Sequence, residues 1–171
     1  MGIREIRKDG DPALRKVCRP FTDYNKHLHT LLDDLRDTLA EAGGVGLAAP
    51  QVGVQRRAVI VEETNVPEGE EPYLIELVNP ELIASEGEQM GPEGCLSTPG
   101  VYGRVKRPYL VRLKASDRHG ESFEVEGTGL TARAFCHELD HLDGRLFLDL
   151  ADHIYSQEEL DALHGEDEDD E

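Results

Sequence analysis

Leucines recur along the first third of this chain at positions 28, 31, 32, 35 and 39, the three- and four-residue steps that place side chains on one helical face. The spacing predicts an amphipathic helix over 23–42, stopped by Gly43-Gly44. Before it, Asp11-Pro12 reads as an N-cap and first helical position opening a short turn. After it the period shortens, and 57–62 and 73–78 are predicted strands on either side of the charged loop Pro67-Glu68-Gly69-Glu70-Glu71-Pro72. A further strand is expected over 81–89, then others over 101–106, 110–115 and 122–126, with Asp117-Arg118-His119-Gly120 as a hairpin turn. The segment 91–99 is dense in glycine and proline and reads as a turn or strand end. Helical spacing returns near Thr128 and stops before Gly144. A last short helix starts at Ser156, with Ser156 as N-cap and Glu159 completing a capping box.

No internal repeat or second compositional regime appears. The expectation is a single α+β domain over 1–165, in which antiparallel strands flank one buried helix and a further helix follows at the C-terminus. The run of six acidic residues at 166–171 is expected to be a disordered tail.

The buried helix carries the chemistry. In His137-Glu138-Leu139-Asp140-His141 two imidazoles stand four residues apart, and on a helix they return to within about 40° of each other, so both can converge on one divalent ion. Glu138 lies about a quarter turn away, within reach of a water beside that ion. Leu130, Ala134, Leu139 and Leu142 surround the segment with apolar positions, and buried histidines need partners.

A catalytic ion takes three protein ligands, so one is still to be found. A third histidine six residues on is ruled out, because Phe147 stands there. Glu158 or Glu159 on a later helix is one possibility, although the capping box already uses this stretch. Cys95, in Glu93-Gly94-Cys95-Leu96-Ser97, is the stronger one, since a thiolate with two imidazoles suits zinc or ferrous iron. Cys136 points about 100° away from His137 and reads as packing, as does Cys18. His27, His29, His119, His153 and His164 have no partners at metal spacing.

Three blocks in this order, Gly44-Val45-Gly46-Leu47-Ala48-Ala49-Pro50-Gln51, Glu93-Gly94-Cys95-Leu96-Ser97 and His137-Glu138-Leu139-Asp140-His141, resemble the signature motifs of the peptide deformylases. The resemblance runs from Gly10-Asp11-Pro12 to about Leu150. It implies hydrolysis of the N-formyl group from the initiator methionine of nascent peptides, with release of formate. By the same resemblance Cys95, His137 and His141 bind the metal, and Glu138 takes the proton of the attacking water and passes it to the leaving nitrogen. The Leu96 backbone N–H and the Gln51 amide would steady the developing oxyanion. Val45, Gly46, Leu130 and Ala134 would wall the methionine slot. One divalent ion per chain is implied, ferrous iron natively, with zinc, nickel or cobalt as substitutes. Glu93 is expected to pair with Arg107 and so fix the Cys95 turn.

The charge balance narrows the partners. With 36 acidic against 18 basic side chains the formal net charge is −18, which argues against nucleic-acid binding by the general surface. Some deformylases dock on the ribosome with a basic C-terminal helix, and the acidic end here departs from that pattern. The three cysteines form no disulfide framework and point to a reducing compartment. The opening Met1-Gly2-Ile3-Arg4-Glu5 has no apolar stretch, and no run approaches the ~20 apolar residues that span a bilayer. A monomeric cytoplasmic protein without membrane contact is expected. Two rival readings stand beside the deformylase: a peptidase with a glutamate as third ligand, and a non-catalytic metal-binding protein that recognises formylated ends.

Overall fold

A computed structural model describes residues 2–169, with side chains described to residue 163. The leucine-spaced helix α1 spans Lys26–Ala42. Its N-cap is Asn25, whose side chain accepts the Leu28 N–H, so the helix opens three residues later than predicted. It closes at Gly43, which takes the left-handed conformation (φ 81°) that caps helices and favours glycine.

Among the described residues eight strands follow: β1 (Gly46–Ala48), β2 (Ala58–Glu63), β3 (Tyr73–Glu86), β4 (Gln89–Cys95), β5 (Thr98–Arg107), β6 (Leu110–Ser116), β7 (Ser122–Thr128) and, after the helix α2 (Gly129–Leu142), β8 (His153–Ile154). The C-terminal helix α3 spans Gln157–Asp169 and is longer than expected. The capping box is present, with the Ser156 and Glu159 side chains each accepting the other's N–H at 3.1 Å. The side chains of the expected tail at 166–171 lie outside the described residues.

All strand pairs are antiparallel within two sheets, one ordered β1-β2-β3-β6-β7 and the other β4-β5-β8. Strand β2 explains how the larger sheet is covered. Val59 and Val61 face a core shared with Ala132, Ala134, Phe135 and Leu142 of α2, while Ala58 and Ile60 face the leucine stripe of α1. The continuous apolar run at 58–61 is therefore a strand buried on both faces. Helix α2 packs against β1, β2, β6 and β7 and also meets β5 of the smaller sheet, which leaves it the buried central element.

Two expectations need correction. The strands predicted at 73–78 and 81–89 are mostly one strand, β3, because Asn79-Pro80 forms a bulge and not a turn. Asn79 takes φ 51°, and the register shifts between Val78 and Glu81, so Pro80 needs no ladder donor there. The glycine- and proline-rich stretch before Cys95 is a strand with a two-residue turn after it. Strand β4 lies at the edge of its sheet, where a proline is tolerated. Among the described residues no helix is long and apolar enough to cross a membrane.

An ion-pair cluster ties α1 to the sheet. Glu76 on β3, its side chain 12% exposed, accepts from Arg36 of α1 at 2.7 Å and from Arg118 of the β6–β7 turn at 2.6 and 2.9 Å. Burial alone would raise the Glu76 pKa, but the two guanidinium groups outweigh it and hold the carboxyl below its ordinary 4.5. The unfolded chain then binds this proton more readily than the native one. The stabilisation is therefore complete above 4.5 and is lost as pH falls through the lowered native value. Glu76→Gln is expected to cost about 1–3 kcal/mol at pH 7. Denaturant midpoints of the variant and the parent should converge as pH drops below 4.5; a gap that stays constant would contradict the assignment.

Candidate metal centre and active site

Leu130, Arg133, Ala134, His137 and Glu138 follow one another on α2 at helical steps and line one face of a cavity of about 730 Å³. The opposite wall comes from the two loops that the sequence motifs occupy. The Gly43–Gly46 segment leads into β1, and the Leu96-Ser97 turn joins β4 to β5.

At the foot of the cavity the Cys95 Sγ lies 3.4 Å from His141 Nε2, which lies 3.2 Å from His137 Nε2. One ligand atom from each of the three residues falls within 4.8 Å of the others, and they form the sole such cluster among the described residues. A tetrahedral ion with bonds of about 2.0–2.3 Å separates its donors by roughly 3.3–3.5 Å, so the observed spacing fits a zinc- or iron-sized cation. Burial disfavours charge on His137, yet Cys95, Glu93 and Glu138 hold its pKa well above the ordinary 6.5. Burial and that neighbouring charge press His141 well below it.

His137 is aimed by a buried charge network. Its Nδ1 lies 2.7 Å from Glu93 Oε2, which commits Nε2 to the centre. Glu93 also receives Arg107 through two bonds of 2.7 and 3.0 Å, as the sequence led one to expect, and Arg133 Nη1 at 3.0 Å. Arg107 continues to Asp140 at 2.7 Å. Burial opposes ionisation of Glu93, but its contacts with His137 and Arg107 hold its pKa down to about 2. Sequence reasoning missed Asp140 and the destination of Arg133; the one available signal was that both lie on the turns flanking His137.

Glu138 is 3% exposed, and its Oε1 is buried without a hydrogen-bond partner among the described residues. Burial, reinforced by the charge on Glu93, raises its pKa to about 7. Its carboxylate lies on the backbone of Gly46: a Cβ there would sit 2.5 Å from Oε2 and 3.1 Å from Cδ and Cγ. Gly46 is therefore glycine because Glu138 occupies its side-chain space. Gly46→Ala should displace the carboxylate and lower kcat about a hundredfold, with metal content unchanged. Near-normal kcat in a metal-loaded variant would refute this steric argument.

Gln51, 1% exposed, sits in a 3₁₀ turn (Ala49–Val52) that follows β1. Its Oε1 accepts the Ala48 N–H at 2.9 Å, so its amide nitrogen must face the other way, towards Ser97 Oγ at 3.1 Å and Cys95 Sγ at 3.5 Å. Leu96 is half-buried in the adjoining turn and lines the same cavity. Val45, Gly46, Leu130 and Ala134 line it too, although Leu130 is 52% exposed at its mouth and does not pack in the core as its spacing suggested.

The other candidates lie elsewhere. Glu159 bonds His153 at 2.6 Å and closes its cap, and neither it nor Glu158 belongs to the cluster. Cys18 is buried in the core and Cys136 packs against it, while His29 bonds the Arg118 carbonyl. The His164 side chain lies outside the described residues.

Residues 3–157 match the family model described as polypeptide deformylase. The chain is 51% identical over 163 residues to the peptide deformylase of Caldanaerobacter subterraneus subsp. tengcongensis, covering 95% of this chain and 98% of the relative. Among solved structures it resembles a peptide deformylase from Legionella pneumophila at 40% identity, with a TM-score of 0.80 and 95% of each chain covered. It also resembles a Met-Ala-Ser-bound class I type b peptide deformylase from Acinetobacter baumannii at 34% identity, with a TM-score of 0.80, 88% of this chain and 99% of that one. With the three motif blocks gathered round one cavity and the likeness running almost end to end, the chain belongs to the peptide deformylase family.

Proposed function

We propose that the Cys95, His137 and His141 side chains hold one divalent metal ion, and that this centre removes the formyl group from N-formylmethionyl peptides as formate. The observation that carries the reading is the convergence of three donor atoms, at metal spacing, beside a buried carboxylate in a cavity with apolar walls. When bound, such an ion acidifies water and polarises the formyl carbonyl.

The chain's own groups do the rest. Glu138 takes the proton of the attacking water on its unpartnered carboxylate and delivers it to the peptide nitrogen as the C–N bond breaks. The Gln51 amide, turned towards Cys95 by its bond to Ala48, and the Leu96 N–H stabilise the negative charge that builds on the formyl oxygen. Val45, Gly46, Leu130 and Ala134 receive the methionine side chain. The Met-Ala-Ser bound by the Acinetobacter relative is a peptide with a free methionine end, the kind of product this reaction leaves.

Ferrous iron is the native ion in this reading, because a thiolate and two imidazoles suit it and because the family commonly uses it; zinc, nickel or cobalt can substitute. The protein works in the cytoplasm as a monomer, on nascent chains, without direct nucleic-acid or membrane contact. Its encounter with the ribosome is transient in this reading. The capped, remote position of Glu159 speaks against the peptidase alternative, and the intact Glu138 speaks against a purely binding role. Incubating metal-loaded protein with formyl-Met-Ala-Ser and with an internally cleavable peptide tests the reading. Formate from the first and no cleavage of the second is expected; internal cleavage without formate would replace it with the peptidase.

A further inference from the structure

Arg133 is an unusual wall for a slot that takes an unbranched apolar chain. Its side chain is 9% exposed and lines the cavity between Leu130 and His137 on the same helical face. Only part of its guanidinium is engaged. Nη1 donates to Glu93 Oε1 at 3.0 Å and to the Val105 carbonyl at 3.1 Å. Nη2 and Nε donate to no acceptor among the described residues, and neither is sealed off from open space. The residue beside Nη2 is Gly91 of β4, where an added Cβ would lie 3.7 Å away. Having no side chain, Gly91 leaves that nitrogen uncovered.

A donor on a cavity wall beside the apolar side chains of Leu130 and Ala134 favours an acceptor on the group that enters there. The charge around it decides which kind. Arg107 and Arg133 contribute two positive charges, and Glu93 and Asp140 two negative ones, within one bonded network. The Arg133 charge is already answered by Glu93 at 3.0 Å, so its remaining N–H groups are left to offer hydrogen bonds. A neutral acceptor fits best. The thioether sulfur of methionine is a weak acceptor, whereas the sulfoxide oxygen formed when that sulfur is oxidised is a strong one on a side chain of almost the same length.

We infer that Arg133 lets this cavity accept formyl-methionine sulfoxide ends, so that the enzyme also deformylates peptides whose first side chain has been oxidised. The inference rests on the deformylase reading of the site and adds a substrate class to it. A pocket with only apolar walls would reject the sulfoxide, because its oxygen would be buried without a partner.

The test compares kcat/KM of the metal-loaded enzyme for formyl-Met-Ala-Ser and for its sulfoxide, together with inhibition by the two deformylated peptides. In the parent protein the sulfoxide is expected within about tenfold of methionine, both as substrate and as bound product. Arg133→Met, similar in length and unable to donate, should lower the sulfoxide-to-methionine ratio about tenfold or more, a ratio that cancels any common loss of turnover from its bond to Glu93. Rejection of the sulfoxide by more than about a hundredfold in the parent, with formyl-methionine turned over normally, would overturn the inference whether or not the variant folds. So would an unchanged ratio in a folded variant. If metal-loaded protein turns over neither formyl peptide, the reading of the site fails and takes this inference with it.

Discussion

Glu138→Gln is expected to keep its full complement of metal and to lose about 10²–10⁴ in kcat. Glutamine preserves the shape that lies over Gly46, so the cavity should stay intact. The amide cannot take a proton from water or return one to nitrogen, and no other carboxylate replaces it. Glu93 is saturated by two arginines and His137, and Asp140 is paired with Arg107. Because proton transfer belongs to the transition state, the loss should fall on kcat, with KM nearly unchanged. Metal analysis and steady-state kinetics on one preparation check both halves. Turnover near that of the parent would remove Glu138 as the proton carrier.

Cys95→Ala should act earlier, on the metal itself. It removes one of three donors and leaves two imidazoles 3.2 Å apart. Disturbing only the support around metal ligands weakens binding about 10–100-fold, so removal of a ligand should exceed about a hundredfold. The purified variant is expected to carry little metal, and its turnover should fall in proportion to occupancy. Direct metal quantification, with titration of added ion, measures this. Full occupancy would mean that the third ligand lies elsewhere.

These two residues also show where a sequence is legible. The His137–His141 pair and the leucine stripe of α1 follow from helical period alone, since both depend on residues three or four apart. The doubly buried β2 was readable from its unbroken apolar run. The three-residue β1 was not, because its strand character comes from pairing Gly46–Ala48 with Val59–Val61 and not from its own glycine-rich sequence. Asn79-Pro80 has turn chemistry, yet the flanking halves of β3 continue through it because β2 and β6 pair with them in succession. Of the charge network, Glu93 with Arg107 was foreseeable as an unexplained carboxylate and an arginine near one turn. The shares taken by Arg133 and Asp140 depend on how α2 crosses the smaller sheet, which local spacing does not encode. Likewise, only packing shows that Gly46 is the space for Glu138.

The most direct measurement is formate release from formyl-Met-Ala-Ser by anaerobically prepared protein, before chelation, after it, and after ferrous ion is restored. The account predicts release that stops with the chelator and returns with the metal, at one ion per chain. Formate release that persists in metal-free protein, or none from protein shown to carry its ion, would contradict it.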